Sequence, residues 1–299
     1  MSQRGGIYRR GNTWTVFWRT DTAEGRKQYT KGGFRTKKEA QQFLTDTLAA
    51  IQGGVFREPS RVTLGEFLTE RWLPAREMGL RPSTFASYRG LVERHVLPEI
   101  GHVQIQQLSP DQLDLFYSRL IARGLAPKTV YEIHLLIRGA LGDAHRRGLV
   151  VRNVALVARA PKQRSLQKIE GKSLTEDELR RLLRSAAGHR FFPIYWLTAM
   201  TGMRRNEVLG LKWPDIDFKK QRLALNRGLV AVGYEVHQTR GKTKTARRAI
   251  ELDHTTIAVL EGWRAFQAAE FVAFGICPGD EWVFTDGDGE PVHPHAVYE

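Results

Sequence analysis

Two arginines, Arg204 and Arg205, follow Thr201-Gly202-Met203 and precede an apolar-periodic run, Asn206-Glu207-Val208-Leu209-Gly210-Leu211. A guanidinium fork meets two oxygens of one phosphate at once, and a helix start behind it adds a favourable dipole and backbone donors. Taken alone, such a pair reads better as surface charge. Further on, Gly241-Lys242-Thr243 ends like a nucleotide-binding loop. That reading fails, because the loop's first glycine would fall on Val236 and the segment lies between expected strands instead of opening a helix. His293 and His295 flank Pro294 with nothing nearby to complete a metal site, so they read as loop residues. Cys277 is the only cysteine, which excludes an internal disulfide and any multi-cysteine zinc or iron-sulfur site.

The elements that must position these groups fall into three segments. At the amino terminus, residues 6–10, 13–19 and 27–30 are short β-prone runs separated by Gly11-Asn12 and by the turn-forming stretch 21–25. A helix follows, with Thr36 and Glu39 at capping-box spacing and Ala40, Phe43, Leu44 and Leu48 at helical spacing. The second segment predicts four helices. Thr63 with Glu66 opens the first; Ser83 opens the second, which carries Tyr88, Leu91, Val92 and Val96 and is expected to end before Pro98. Ser109-Pro110 starts the third, which Gly124 stops, and Pro127 starts the fourth, which ends at Gly148. The basic stretch 158–172 lacks apolar periodicity and reads as a linker. The third segment predicts helices carrying Leu179 and Leu183, then over 191–200 and 206–211. Strands are expected at 216–218, 222–226, 229–237 and 248–252, then a helix over 255–274 and a last strand at 282–284.

A chain of 299 residues suffices for several cores, and its 41% hydrophobic and 26% charged content is that of a water-soluble globular protein. No apolar run reaches a membrane-spanning length, and the first residues lack a secretory signal, so a cytoplasmic location is expected. The formal charge of +14 points to a polyanionic partner. Lys plus Arg minus Asp plus Glu is 11 − 5 for residues 1–60, 14 − 9 for 61–160, 20 − 9 for 161–252 and 1 − 9 for the rest. Three successive regions are basic and the tail is not. Clustered carboxylates for a metal-dependent nuclease or transposase are missing, since Asp215 and Asp217 fit better at strand edges.

The stretch from Thr201 to Asp217, with Arg204, Glu207, Leu209, Leu211, Trp213 and Asp217 matching together, resembles the first catalytic box of the tyrosine recombinases of the phage integrase family. Asn206 stands where members more often carry a small residue. The segment Gly241-Lys242-Thr243-Lys244-Thr245-Ala246-Arg247-Arg248 is similar to the family's β-hairpin lysine segment. Arg81-Pro82-Ser83-Thr84 with Tyr88, His95-Val96-Leu97-Pro98, Ala126-Pro127-Lys128-Thr129 and Arg152-Asn153 follow its core-binding domain, and Gly32-Gly33-Phe34-Arg35-Thr36-Lys37 its arm-binding module.

The resemblance implies a multidomain α+β chain. A small three-stranded β-sheet with one helix comes first, then a four-helix, SAM-like core-binding bundle, then a mainly helical catalytic domain with a small antiparallel sheet, incomplete at its carboxy terminus. The implied boundaries are 1–57 for the arm-type DNA-binding domain, 61–157 for the core-binding domain, 158–172 for the linker and 173–299 for the catalytic domain. Arg204 would hold the scissile phosphate, and Lys242, or less well Lys244, would act as general acid toward the leaving 5′ oxygen. Arg9, Arg10, Arg19, Arg35, Lys37, Arg81, Ser83, Thr84, Tyr88, Lys128, Thr129, Arg205 and Lys244 would contact double-stranded DNA at arm and core attachment sites. No cofactor or metal is implied, because a covalent phosphotyrosyl link stores the bond energy. The full family assembles as tetramers on DNA. In the family a segment like 283–297 leads on to a His-x-x-Arg box and the nucleophilic tyrosine; neither is expected within this chain's catalytic segment, and Tyr298 stands too early to serve. The chain as given is therefore expected to bind DNA without cutting it; the alternative is a decayed integrase or a regulator occupying the recombination site. Loss of the covering helices would expose apolar surface near Trp263, Phe266 and Phe271.

Overall fold

The computed structural model describes residues 5–22, 25–53, 56, 58–161, 173–239, 248–277 and 281–298. The chain divides into two compact units, Met1–Gly79 with Tyr88–Gln167 and Leu80–Ser87 with Lys168–Glu299.

In the first unit, the β-prone runs pair as β1 (Gly5–Arg10), β2 (Thr13–Thr22) and β3 (Gly25–Phe34), antiparallel in that order. Arg10 pairs with Thr13 across a two-residue loop whose first residue, Gly11, takes φ +60°, a conformation that a side chain resists. Helix α1 (Lys37–Gln52) begins at the expected capping box, with Thr36 and Glu39 each accepting from the other's backbone. It buries Ala40 and Leu44 against Val16 and Trp18 of the sheet. Burial on this scale stabilises by about 2 kcal/mol for each large apolar side chain.

Four helical rods follow. The first joins α2 (Leu64–Glu66), a π-helical turn at Phe67–Trp72 and α3 (Leu73–Glu77); the second joins α4 (Pro82–Leu91), a π-helical turn at Val92–Val96 and α5 (Leu97–Ile100). The second rod does not end before Pro98, as the sequence suggested, and both rods pass a proline in the same way. In each, the last N–H before the proline (Leu73, Leu97) bonds the carbonyl five residues back (Leu68, Val92), so the ladder widens where proline offers no donor. Helices α6 (Pro110–Ala122) and α7 (Pro127–Arg146) complete the set, ended by Gly124 and Gly148 at φ +87° and +73°. Leu64, Phe67, Leu113, Phe116, Leu120, Ile133, Ile137 and Leu141 form its fully buried interior.

The second unit takes in the start of α4, through Ser87, and carries α8 (Glu176–Ser185), α9 (Phe192–Thr201), α10 (Arg205–Leu209) and α11 (His254–Phe274). Strands β4 (Ile216–Asp217), β5 (Arg222–Ala224) and β8 (Ala249–Glu251) form an antiparallel sheet, and β6 (Gly228–Val232) pairs with β7 (Glu235–Thr239) as a separate hairpin. The single strand expected over 229–237 is thus two, turned at Gly233 with φ +61°. The strand expected at 282–284 is instead a loop held by isolated bridges, Lys212 to Trp282 and Thr285 to Pro291. That loop is what α11 packs on: Trp263 Nε1 donates to Val283 O at 2.6 Å, and Gln267 Nε2 to Thr285 Oγ1 at 2.8 Å. Trp263 is consequently buried, contrary to the sequence-based expectation, and Phe271 is half-buried, while Phe266 is 52% exposed. Among the described residues, no helix is long and apolar enough to cross a membrane.

Candidate nucleic-acid interface

Arg204 owes its position to its neighbours. Gly202, at φ +63°, ends α9 in the left-handed region, and Met203 is buried in the core, so the chain emerges at Arg204 in extended conformation as the residue that opens α10. Its side chain is 73% exposed. Three residues on, the buried Glu207 turns back. Its Oε2 accepts the Arg204 backbone N–H at 2.9 Å and its Oε1 accepts Arg204 Nη1 at 3.0 Å. A second guanidinium reaches the same carboxylate, Arg248 Nη2 donating to Oε2 at 3.2 Å. Burial pushes the Glu207 carboxyl up, but the hydrogen bonds from Arg204 and Arg248 together outweigh it and hold it below the ordinary carboxylate range. Two guanidiniums against one carboxylate leave net positive charge, presented by the exposed Arg204.

The hairpin β6–β7 crosses α10 so closely that side chains have no room. A Cβ on Gly210 would lie 2.6 Å from Gly228 Cα, and one on Gly228 would lie 2.8 Å from Asn206 Nδ2. Thr239, the last residue of β7, donates its hydroxyl to Gly228 O at 3.2 Å, and Leu225 N–H donates to Arg248 O at 2.9 Å. Lys242 and Lys244 lie outside the described residues. Their segment leaves from Thr239 and returns at Arg248, both rooted in the same unit as Arg204.

Other sequence candidates of this unit have partners of their own. Arg205 Nη1 donates to Pro294 O at 3.0 Å. His293 and His295 stack with ring centres 5.2 Å apart, and the His295 N–H donates to His293 Nδ1 at 3.3 Å. Asp215 is consumed structurally, accepting from Lys212 N–H, Asn226 Nδ2 and the Arg227 guanidinium; Asp217 caps Lys220 N–H at 2.9 Å. A His-x-x-Arg string does occur in the catalytic segment, at His237-Gln238-Thr239-Arg240, against the expectation of none. His237 lies in the middle of β7, ahead of the lysine segment and not after it, so the string does not stand at the box's place in the order.

In the first unit, strand alternation divides the arm cations between two faces. Tyr8 and Phe17 approach on the face away from α1, with centroids 6.4 Å apart, and Arg19 lies over Phe17 at 5.9 Å while its Nε donates to Gln28 Oε1 at 2.8 Å. Arg10 alternates onto that same face. Arg9 alternates with Ile7, which packs on the helix-side core, and Lys37 lies 5.8 Å over Trp14 on that side. Arg35 precedes the helix, exposed, with its N–H on Glu39. Elsewhere Lys128 is exposed and Thr129 partly exposed in the first turn of α7. Arg81, Ser83 and Thr84 fall in the second unit, the latter two in the first turn of α4, where Thr84 N–H donates to Arg81 O at 2.9 Å. Tyr88 stacks on Trp72 at 6.0 Å; the Trp72 indole in turn donates to Asp143 at 2.8 Å.

The sequence alone points to no role for Arg248, Phe17 or Gln28, and marks Glu207 only as a matching position. The period of two along β2 and β3 carries a signal for Phe17 and Gln28, since both fall on the register of Arg19. Nothing local marks Arg248, whose partner is far away in the chain.

Three family models match consecutive stretches: an arm DNA-binding domain over residues 7–51, a phage integrase N-terminal SAM-like domain over 63–121, and the phage integrase family over 172–299. Among curated relatives, a XerC-like tyrosine recombinase of Caldanaerobacter subterraneus subsp. tengcongensis is 25% identical over 256 residues, covering 81% of this chain and 65% of the relative. An integrase of Saccharopolyspora erythraea is 29% identical over 167 residues, 54% of this chain and 38% of the relative. The chain thus spans less than two thirds of the length of both. Of solved structures, the Tn1549 transposon integrase in complex with a circular intermediate DNA superposes with TM-score 0.64 at 15% identity, covering 78% of this chain and 74% of that one. A lambda integrase dimer bound to a COC′ core site gives 0.59 at 19% identity, covering 97% and 77%. These likenesses in fold agree with the sequence motifs and the three successive domain matches: the chain belongs to the phage integrase family of tyrosine recombinases.

Proposed function

We propose that the chain binds duplex DNA at recombination sites in the cytoplasm, with Arg204 gripping the phosphate at which strand exchange takes place. The observation that carries this reading is the exposed Arg204 guanidinium held from behind by a buried carboxylate. A phosphodiester under attack concentrates charge on its non-bridging oxygens, and an arginine fixed in advance stabilises that charge without reorganising. Where a family nucleophile breaks the strand, Lys242 would donate the proton to the leaving 5′ oxygen, with Lys244 as the weaker candidate. Residues 1–57 grip arm sequences through Arg9, Arg10, Arg19, Arg35 and Lys37. Residues 61–157 grip the core through Arg81, Ser83, Thr84, Tyr88, Lys128 and Thr129; 158–172 link them to the catalytic residues 173–299, where Arg205 and Lys244 add charge. Full-length assemblies are homotetramers on DNA.

Residues 1–299 hold DNA without forming a phosphotyrosyl bond, because no His-x-x-Arg box follows the lysine segment among them and Tyr298 stands too early to be the nucleophile. A duplex selected from a random pool by the chain, then nicked as a suicide substrate, tests both halves. We expect a salt-sensitive complex that Arg204→Ala weakens, and no denaturant-resistant adduct. An adduct would overturn the binding-only half; absence of any selected duplex would overturn the rest.

A further inference from the structure

We propose that Arg248 is a positioning residue for Arg204, acting through the Glu207 carboxylate and not by touching DNA itself. The inference rests on the reading of Arg204 as the phosphate-binding arginine and adds a residue to which no role has been assigned.

The geometry is a shared acceptor. Glu207 Oε1 serves Arg204 Nη1, while Oε2 serves both the Arg204 N–H and Arg248 Nη2. Arg248 is itself fixed at its backbone, its carbonyl accepting from Leu225 N–H beside β5, so its side chain reaches Glu207 from a rigid base. Its side chain is 37% exposed, against 73% for Arg204. The less exposed guanidinium is spent on the carboxylate and the more exposed one is presented outward. Without Arg248, Oε2 keeps one donor and the carboxylate gains freedom to rotate, and with it goes the fixed aim of Arg204. A charge-assisted hydrogen bond on a buried carboxylate is strong enough to hold that orientation.

The test uses the full chain and a duplex it selects from a random pool, with each backbone phosphate replaced in turn by an uncharged methylphosphonate. One replacement should weaken the parent protein and leave Arg204→Ala indifferent, which marks the phosphate that Arg204 holds. Arg248→Ala should lose about tenfold in affinity, the scale of one charged hydrogen bond. It should also become indifferent to the same replacement and cost nothing further in the Arg204→Ala background. Arg248→Lys, which can still donate to Glu207, should recover most of the loss. Should Arg248→Ala fail to melt cooperatively, Arg248→Met, which keeps an apolar stem and has no donor for Glu207, supplies the same cycle. Additive losses in the double variant, or an undiminished penalty at the marked phosphate, would overturn the inference while leaving Arg204's role intact. If no phosphate behaves in this way, Arg204's role falls and the inference with it.

Discussion

The basic surface at the start of α10 and the one on the amino-terminal sheet hold their arginines in opposite ways. At the start of α10, Arg204 is restrained by a buried carboxylate that a second arginine also binds, so charge is partly neutralised in return for a fixed direction. On the outer face of the amino-terminal sheet, Arg19 is restrained by the neutral amide of Gln28 and by the Phe17 ring, so its full charge remains. A carboxylate suits a cation that must aim at one phosphate. A neutral partner suits a cation that lies along a groove and gains from every phosphate nearby.

Removing the carboxylate is the most severe way to break this contrast. Glu207→Leu leaves two guanidiniums facing each other and the Arg204 N–H without its partner. We expect a loss of about 2–3 kcal/mol in urea unfolding at neutral pH, less than for a fully enclosed pair because both arginines reach solvent. A smaller effect follows from acid. Because the folded Glu207 carboxyl lies below its ordinary value of 4.5, its stabilisation is complete above that pH and is lost as pH falls through the lower, folded value. Glu207→Gln should therefore be less stable than the parent at pH 7 and converge toward it below pH 4.5; parallel curves would show that Glu207 is not the titrating group. The smallest effect on folding sharpens the contrast from the other side. Gln28→Glu installs a carboxylate under Arg19 and should move the melting free energy by no more than about 0.5 kcal/mol. It should nevertheless weaken DNA binding and flatten the dependence of log affinity on log salt by about 0.9, one phosphate's worth.

The candidate site was legible in part. Arg204 stood out because Gly202, Glu207 and the apolar positions Leu209 and Leu211 form a local pattern, and the capping boxes at Thr36 and Thr63 fixed their helices within a few residues of chain. Pro98 misled, since a proline stops an α-helix unless the preceding turn widens, and that widening is not written in any single residue. The turn at Gly233 was hidden because β-prone residues flank it closely on both sides, Leu229 to Val232 before it and Tyr234 and Val236 after it. Trp263 was misjudged because its cover is the loop at 282–285, not a helix.

By itself the sequence determined the order of elements, the basic character of the first three regions and the family, because periodicity, caps and motif spacing are properties of near neighbours. Only the tertiary structure decided that Glu207 serves two arginines, that Arg205 turns toward Pro294, and that glycine is required where β6 crosses α10. Each of these depends on groups far apart in the chain meeting within hydrogen-bond or van der Waals reach, and no local pattern specifies such a distance.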